Sequence, residues 1–93
     1  MSKVIMEGFV LVADVDLPNI KRELPNHILL TRKEKGCLIF EVSQDNKNMN
    51  RFNVYEEFIS QSAFRFHQER IAGTEWEKVS SKLEKHYKKQ KSI

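Results

Sequence analysis

Cysteine occurs once, proline twice and glycine three times in this chain of 93 residues, and each scarcity excludes something. Cys37 alone cannot close an internal disulfide, so the fold must hold without one. It follows Gly36 at the start of an apolar segment, where a small buried hydrophobe fits. Three glycines leave little from which to build a phosphate-cradling loop. No nucleophile-elbow serine is present, and no Cys, His and acidic side chains recur at metal-ligand spacing. The usual strong motifs for holding a metal or a phosphate-bearing group are therefore missing. Long apolar runs are missing too: Met1 to Glu7 places an acid inside the early apolar stretch, and nothing approaches the length of a signal core or a membrane span. The expected address is cytoplasmic, with no membrane partner. Without an internal repeat or a low-complexity linker, residues 1–93 read as a single domain.

What is present is 40% hydrophobic, near the lower size limit at which one core can be buried. A domain so small gains by covering a sheet face with a second copy of itself, so a homodimer is expected. The formal charge of +3 is uneven. From residue 78 onward, Lys78, Lys82, Lys85, Lys88, Lys89 and Lys91 oppose Glu84 alone, a local +5, whereas residues 1–77 carry 10 bases and 12 acids, a local −2. The lysine-rich end holds one aromatic, Tyr87, and lacks the basic and aromatic interleaving of a base-stacking surface. It reads as a solvated terminus, and no nucleic-acid partner is expected.

Periodicity orders the elements. Lys3 to Ala13 is β-branched and apolar, a strand. Asp16-Leu17-Pro18 offers a cap and a helix start, after which Leu17, Ile20, Leu24, Ile28 and Thr31 recur at helical spacing until Gly36. Pro25 is expected to kink or restart that helix. Cys37 to Val42 forms a second strand, and the polar stretch Ser43 to Asn50 turns the chain. Arg51 to Phe58 is a third strand, with Phe52, Val54, Glu56 and Phe58 on one face. Ser60 caps a helix whose stripe is Ala63, Phe64, His67 and Ile71, stopped by Gly73. Beyond Thr74, the spacing of Trp76, Val79, Leu83 and Tyr87 by itself predicts helix to the terminus. Counting the end as a strand instead yields a split β-α-β layout with both helices on one face.

Two polar groups stand among apolar neighbours. Glu56 on its strand and His67 on the following helix would meet between sheet and helix, where desolvation raises a carboxyl pKa and each group polarises the other. The pattern is equally that of a buried pair hydrogen-bonded for structure. His27 shares a helix face with Ile20, Leu24 and Thr31, either reaching the same cavity or standing exposed. Phe40, Phe52, Phe64 and Trp76 are placed either to line an aromatic-sized pocket or to fill an ordinary core. Thr31, Arg51 and Ser60 offer further polar handles with no spacing that separates binding from capping or solvation.

The run Gly36-Cys37-Leu38-Ile39-Phe40-Glu41-Val42, then Asp45, then Asn50-Arg51-Phe52-Asn53-Val54-Tyr55-Glu56-Glu57-Phe58, then Ala63-Phe64 and His67, resembles the antibiotic biosynthesis monooxygenase family. The likeness extends over nearly the whole chain. It implies an α+β, ferredoxin-like βαββαβ fold with an antiparallel sheet, dimerising face to face as a dimeric α/β barrel. Each subunit would hold a cavity between sheet and helices. It also implies a short helix around Trp76 and a last strand near Leu83 to Lys89, against the periodicity, and this is the expectation adopted for that end.

Relatives of this kind oxidise quinols or polycyclic phenols with molecular oxygen and neither flavin nor metal, the substrate's own carbanion being the reductant. A base is then the protein's main contribution. The resemblance assigns catalytic roles to His67 and Glu56. The substrate pocket expected beside them, His27, Phe40, Phe52, Phe64 and Trp76, is the one read from the residues themselves. The haem-degrading branch carries a tryptophan about where Glu57 and Phe58 stand and an asparagine near Glu7, so haem is not expected. The leading expectation is a cofactor-independent monooxygenase acting on a small aromatic or quinol-type molecule. A non-oxidative isomerase or lyase acting on a small carbonyl compound and a non-catalytic ligand-binding dimer remain open beside it.

Overall fold

A computed structural model describes residues 2–92. The chain forms β1 (Lys3–Leu11), a 3-10 turn (Asp14–Asp16), α1 (Leu17–Arg32), β2 (Cys37–Gln44), β3 (Arg51–Phe58), α2 (Gln61–Ile71), α3 (Glu75–Ser80) and β4 (Glu84–Ser92). The strands make one open antiparallel sheet in the order β2-β3-β1-β4. This is the ferredoxin-like α+β arrangement, with β2 and β4 as its edges. No helix among the described residues is long and apolar enough to cross a membrane.

Alternation along β3 decides which face is covered. Phe52, Val54, Glu56 and Phe58 are all buried, while Arg51, Asn53, Tyr55 and Glu57 between them are only partly so. From β1 come Val4 and Val10, and from α1 Ile20 and Leu24, to close the core on that side. The opposite face carries a polar and aromatic network. Arg51 stacks 3.8 Å over Phe9, Phe9 stacks on His86 at 4.7 Å, and the Tyr55 hydroxyl donates to Glu57. Arg51, a candidate handle in the sequence, therefore sits away from the helix-covered face.

The β2–β3 turn is built by its amides. Asp45 Oδ2 accepts from the backbone N–H groups of Lys47 and Asn48, and Asn50 Nδ2 donates to the Val12 carbonyl and Asp14 Oδ1. Those bonds tie the turn to the end of β1. Ser60 caps α2 as its position suggested, accepting from Ala63 N–H at 3.1 Å.

Two local expectations require correction, and a third is met against the periodicity. Asp16 precedes α1 but makes no side-chain cap; the backbone instead enters through a turn in which the N–H groups of Asp16 and Leu17 both reach the Ala13 carbonyl. Pro25 does not restart the helix, which runs unbroken from Leu17 to Arg32. Pro25 and Lys21 are both exposed, so the Lys21 carbonyl that loses its N–H partner can turn to water. After Thr74 the adopted expectation holds: a short helix ends at Ser80, and the chain then pairs with β1 over the full length of β4. The lysines of this end are accordingly not a loose tail. Lys78 lies in α3 and Lys82 in the turn after it, while Lys85, Lys88 and Lys89 stand on an edge strand, where charge discourages pairing with a second sheet.

Candidate functional site

A cavity of about 150 Å³ lies between the covered sheet face and the helices. His27 and Ile20 from α1, Phe40 from β2, Phe52 and Glu56 from β3, Phe64 and His67 from α2, Trp76 from α3 and Tyr87 from β4 all line it. Each of the seven candidate site residues named from the sequence is in that lining. Exposed Gln68 and Lys85 also contribute and so stand at the rim.

The aromatic groups are organised around His27. Its ring stacks on Trp76 at 4.4 Å and 9°, meets the edge of Phe40 at 5.4 Å and lies 5.8 Å from the His67 ring. His27 is buried rather than exposed. Desolvation, then the charges of His67 and Arg70, push its pKa down to about 3, which keeps the ring neutral.

Glu56 and His67 share the cavity without pairing directly. His67 Nδ1 is 2.9 Å from Glu34 Oε2, and that same oxygen accepts from Arg70 Nε. Arg70 Nη2 donates to the hydroxyl of Thr31, which is fully buried. Burial lowers the His67 pKa, while the hydrogen bond and charge of Glu34 act the other way. Glu56 makes no hydrogen bond among the described residues. Desolvation, with the charge of Glu34 adding, pushes its carboxyl up to about 7. Burial and the charge of Glu56 hold the Tyr87 phenol protonated.

The site thus presents a neutral imidazole, a carboxyl that changes charge near neutrality and a phenol donor, all within aromatic walls. Such a set can accept or return one proton on a flat molecule.

Glu34 and Arg70 escaped the sequence reading. Glu34 lies in the charged run Arg32-Lys33-Glu34-Lys35, which looks like a solvated turn. Its signal was present nevertheless: Ile20, Leu24, His27, Thr31 and Glu34 continue one helical stripe past the helix end, and all are buried. Arg70 follows His67 by one helical turn. Gly36 lets the connecting loop approach α2, since a Cβ there would lie 2.3 Å from Ala63 Cβ. Cys37 is half-buried, and desolvation pushes its thiol up to about 11, so it stays protonated as a packing group.

The carboxyl shift has a testable sign. Glu56 titrates near 7 when folded and at 4.5 as a free side chain, so between those values only the folded chain holds the proton. The raised pKa favours the fold below 4.5, and that contribution is lost as pH rises to about 7. Glu56→Gln is expected to gain on the wild type through this window and level off at about 3 kcal/mol above it. Neutral His27 acts oppositely, losing stability as pH falls below 6.5, but it cancels in the difference between the two proteins. Urea midpoints across pH measure that difference; one that stays flat would remove the argument for a strained carboxyl.

Comparison with known proteins concerns the chain and its fold. A family model described as antibiotic biosynthesis monooxygenase matches residues 20–87. A Nitrosomonas europaea protein assigned to the antibiotic biosynthesis monooxygenases superposes with a TM-score of 0.76 at 16% identity, covering 97% of this chain and 86% of that one. One from Deinococcus radiodurans, with the same assignment, reaches 0.70 at 20% identity over 97% and 90% of the two chains. A conserved Bacteroides thetaiotaomicron protein of unknown function reaches 0.75 at 14% identity over 97% of each. At these identities the likeness is one of fold. No curated protein matches the sequence.

Proposed function

This chain belongs to the antibiotic biosynthesis monooxygenase family, and from that premise we propose that it is a monooxygenase of small, single-ring phenols or hydroquinones. One observation carries the substrate class. The neutral His67 and the half-protonated Glu56 converge on a cavity of about 150 Å³ with aromatic walls. An apolar space of roughly that size takes a benzene-sized guest, and a polycyclic phenol would need the walls to move.

In the proposed reaction His67 accepts the phenolic proton, and Glu56 supplies or takes a second proton as charge develops. The resulting phenolate carbon delivers electrons to molecular oxygen. One oxygen atom enters the ring and the other leaves as water, so a hydroquinone becomes a hydroxyquinone and the substrate provides every electron. His27, Phe40, Phe52, Phe64 and Trp76 would hold the ring by its faces and edges. Gln68 and Lys85 at the rim would meet its polar substituents.

The reading treats residues 1–93 as one domain that works as a homodimer in the cytoplasm, and takes neither nucleic acid nor a membrane as a partner. Ile5, Phe9, Leu11 and Tyr55 are only partly buried on the open sheet face, and a second copy would cover them. Light scattering of the purified protein should return twice the mass of 11.0 kDa.

Oxygen uptake tests the chemistry. With methylhydroquinone as probe, consumption should accompany hydroxyquinone formation, and labelled oxygen should place one atom in the product. Anthrone, with three fused rings, should be the poorer substrate. Binding of the single-ring probe without uptake would overturn the oxygenase reading in favour of a non-oxidative or purely binding role.

A further inference from the structure

We propose that Glu34 is a positioning residue for the candidate base: anchored by Arg70, its carboxylate takes the Nδ1 proton of His67 and so leaves Nε2 bare towards the cavity. The inference rests on the proposed role of His67, but its test does not.

An imidazole carries one proton when neutral, and the ring nitrogen that faces a carboxylate must donate to it. Nδ1 stands 2.9 Å from Glu34 Oε2, so the proton belongs on Nδ1. Nε2 has no hydrogen-bond partner among the described residues and is not sealed from solvent, and the ring lines the cavity. A base must present its lone pair to the substrate, which is the tautomer this contact selects.

Glu34 is itself held in place. Its side chain is 3% exposed, Arg70 Nε donates to the same oxygen, and Arg70 also reaches Thr31. The groups around His67 therefore comprise Glu34 from the loop after α1, Arg70 on its own helix, His27 on α1 and Glu56 on β3. Of these four, Glu34 alone stands within hydrogen-bond distance of the ring. Packing does not explain the arrangement. A buried ion pair is weak evidence for stability, and Glu34 Oε1 is buried with no partner, a cost that apolar side chains would avoid.

Two-bond proton–nitrogen correlation spectra of histidine-labelled protein read the tautomer directly. His27→Gln and His86→Gln spectra assign the three rings. At neutral pH the wild type should show His67 protonated on Nδ1. Glu34→Gln, whose amide oxygen can still accept, should keep that signature while His67 titrates at lower pH. Glu34→Ala should lose it and populate the Nε2-protonated form. An Nε2 proton in the wild type, or an unchanged tautomer in Glu34→Ala, overturns the proposal. Should the alanine variant fail to fold, the wild-type spectrum and the pH shift in Glu34→Gln decide. No substrate is involved, so the absence of oxygen uptake would defeat the functional reading and leave this one standing.

Discussion

Gly8→Ala is expected to cost about 4 kcal/mol or more, the range reached only when a specific feature is broken. Gly8 lies inside β1, paired with Val54 on one side and Tyr87 on the other. A Cβ at this position would fall 1.9 Å from the backbone carbonyl oxygen of His86. That oxygen belongs to a strand and cannot rotate away as a side chain would. The φ of +158° adds a conformation that side-chain-bearing residues avoid. Relief requires β4 to part from β1, and β4 carries Tyr87, one wall of the cavity. For a domain of this size the melting temperature should fall by roughly 15 °C or more. The amides of β4 should exchange with solvent faster than those of β3. A loss of under about 1 kcal/mol would mean that the β1–β4 ladder is more pliant than its register implies.

His67→Ala is expected to lower turnover of methylhydroquinone by a hundredfold or more, which is what a positioned general base commonly contributes and corresponds to about 2.7 kcal/mol of barrier. The side chain is buried among Phe40, Phe58 and His27, with ring centroids 5.1 to 5.8 Å away, so the alanine also leaves a void. His67→Gln keeps more of that volume and can still meet Glu34, yet it cannot take up a proton. If activity depends on proton transfer, both variants lose it while the glutamine variant stays the more stable. If His67 only shapes the pocket, glutamine should restore most of the turnover, with the change confined to KM. Full activity in either variant would remove His67 from the reaction.

The strands and helices were legible to different degrees. β3 reads from its sequence without ambiguity because Phe52, Val54, Glu56 and Phe58 alternate with polar neighbours, and both its limits agree with the observed Arg51–Phe58. The final segment was not legible from its spacing, and its short helix and strand came from the family resemblance instead. Trp76, Val79, Leu83 and Tyr87 are spaced for a helix, yet only Glu75–Ser80 is helical. The free edge of β1 offers nine residues of backbone partners, and β4 takes them. Local propensity is worth tenths of a kcal/mol per residue and yields to a ladder that satisfies backbone groups along a whole strand.

The candidate site divides in the same way. Glu56 and His67 stood out because a charged or polar residue on an apolar face is conspicuous against its period. Their expected mutual contact gave way to Glu34, because no periodicity states which loop will fold against a helix 33 residues further along. By itself, then, the sequence determined the element types over most of the chain, the apolar face of each and the family resemblance, since these depend on spacing along the backbone. Only the tertiary structure decided that Glu34 and Arg70 hold His67, that His27 stacks on Trp76, that Gly8 must remain bare and that the cavity measures about 150 Å³. Those facts arise where segments distant in sequence come within a few ångströms of one another, and burial there sets the charge each group will carry.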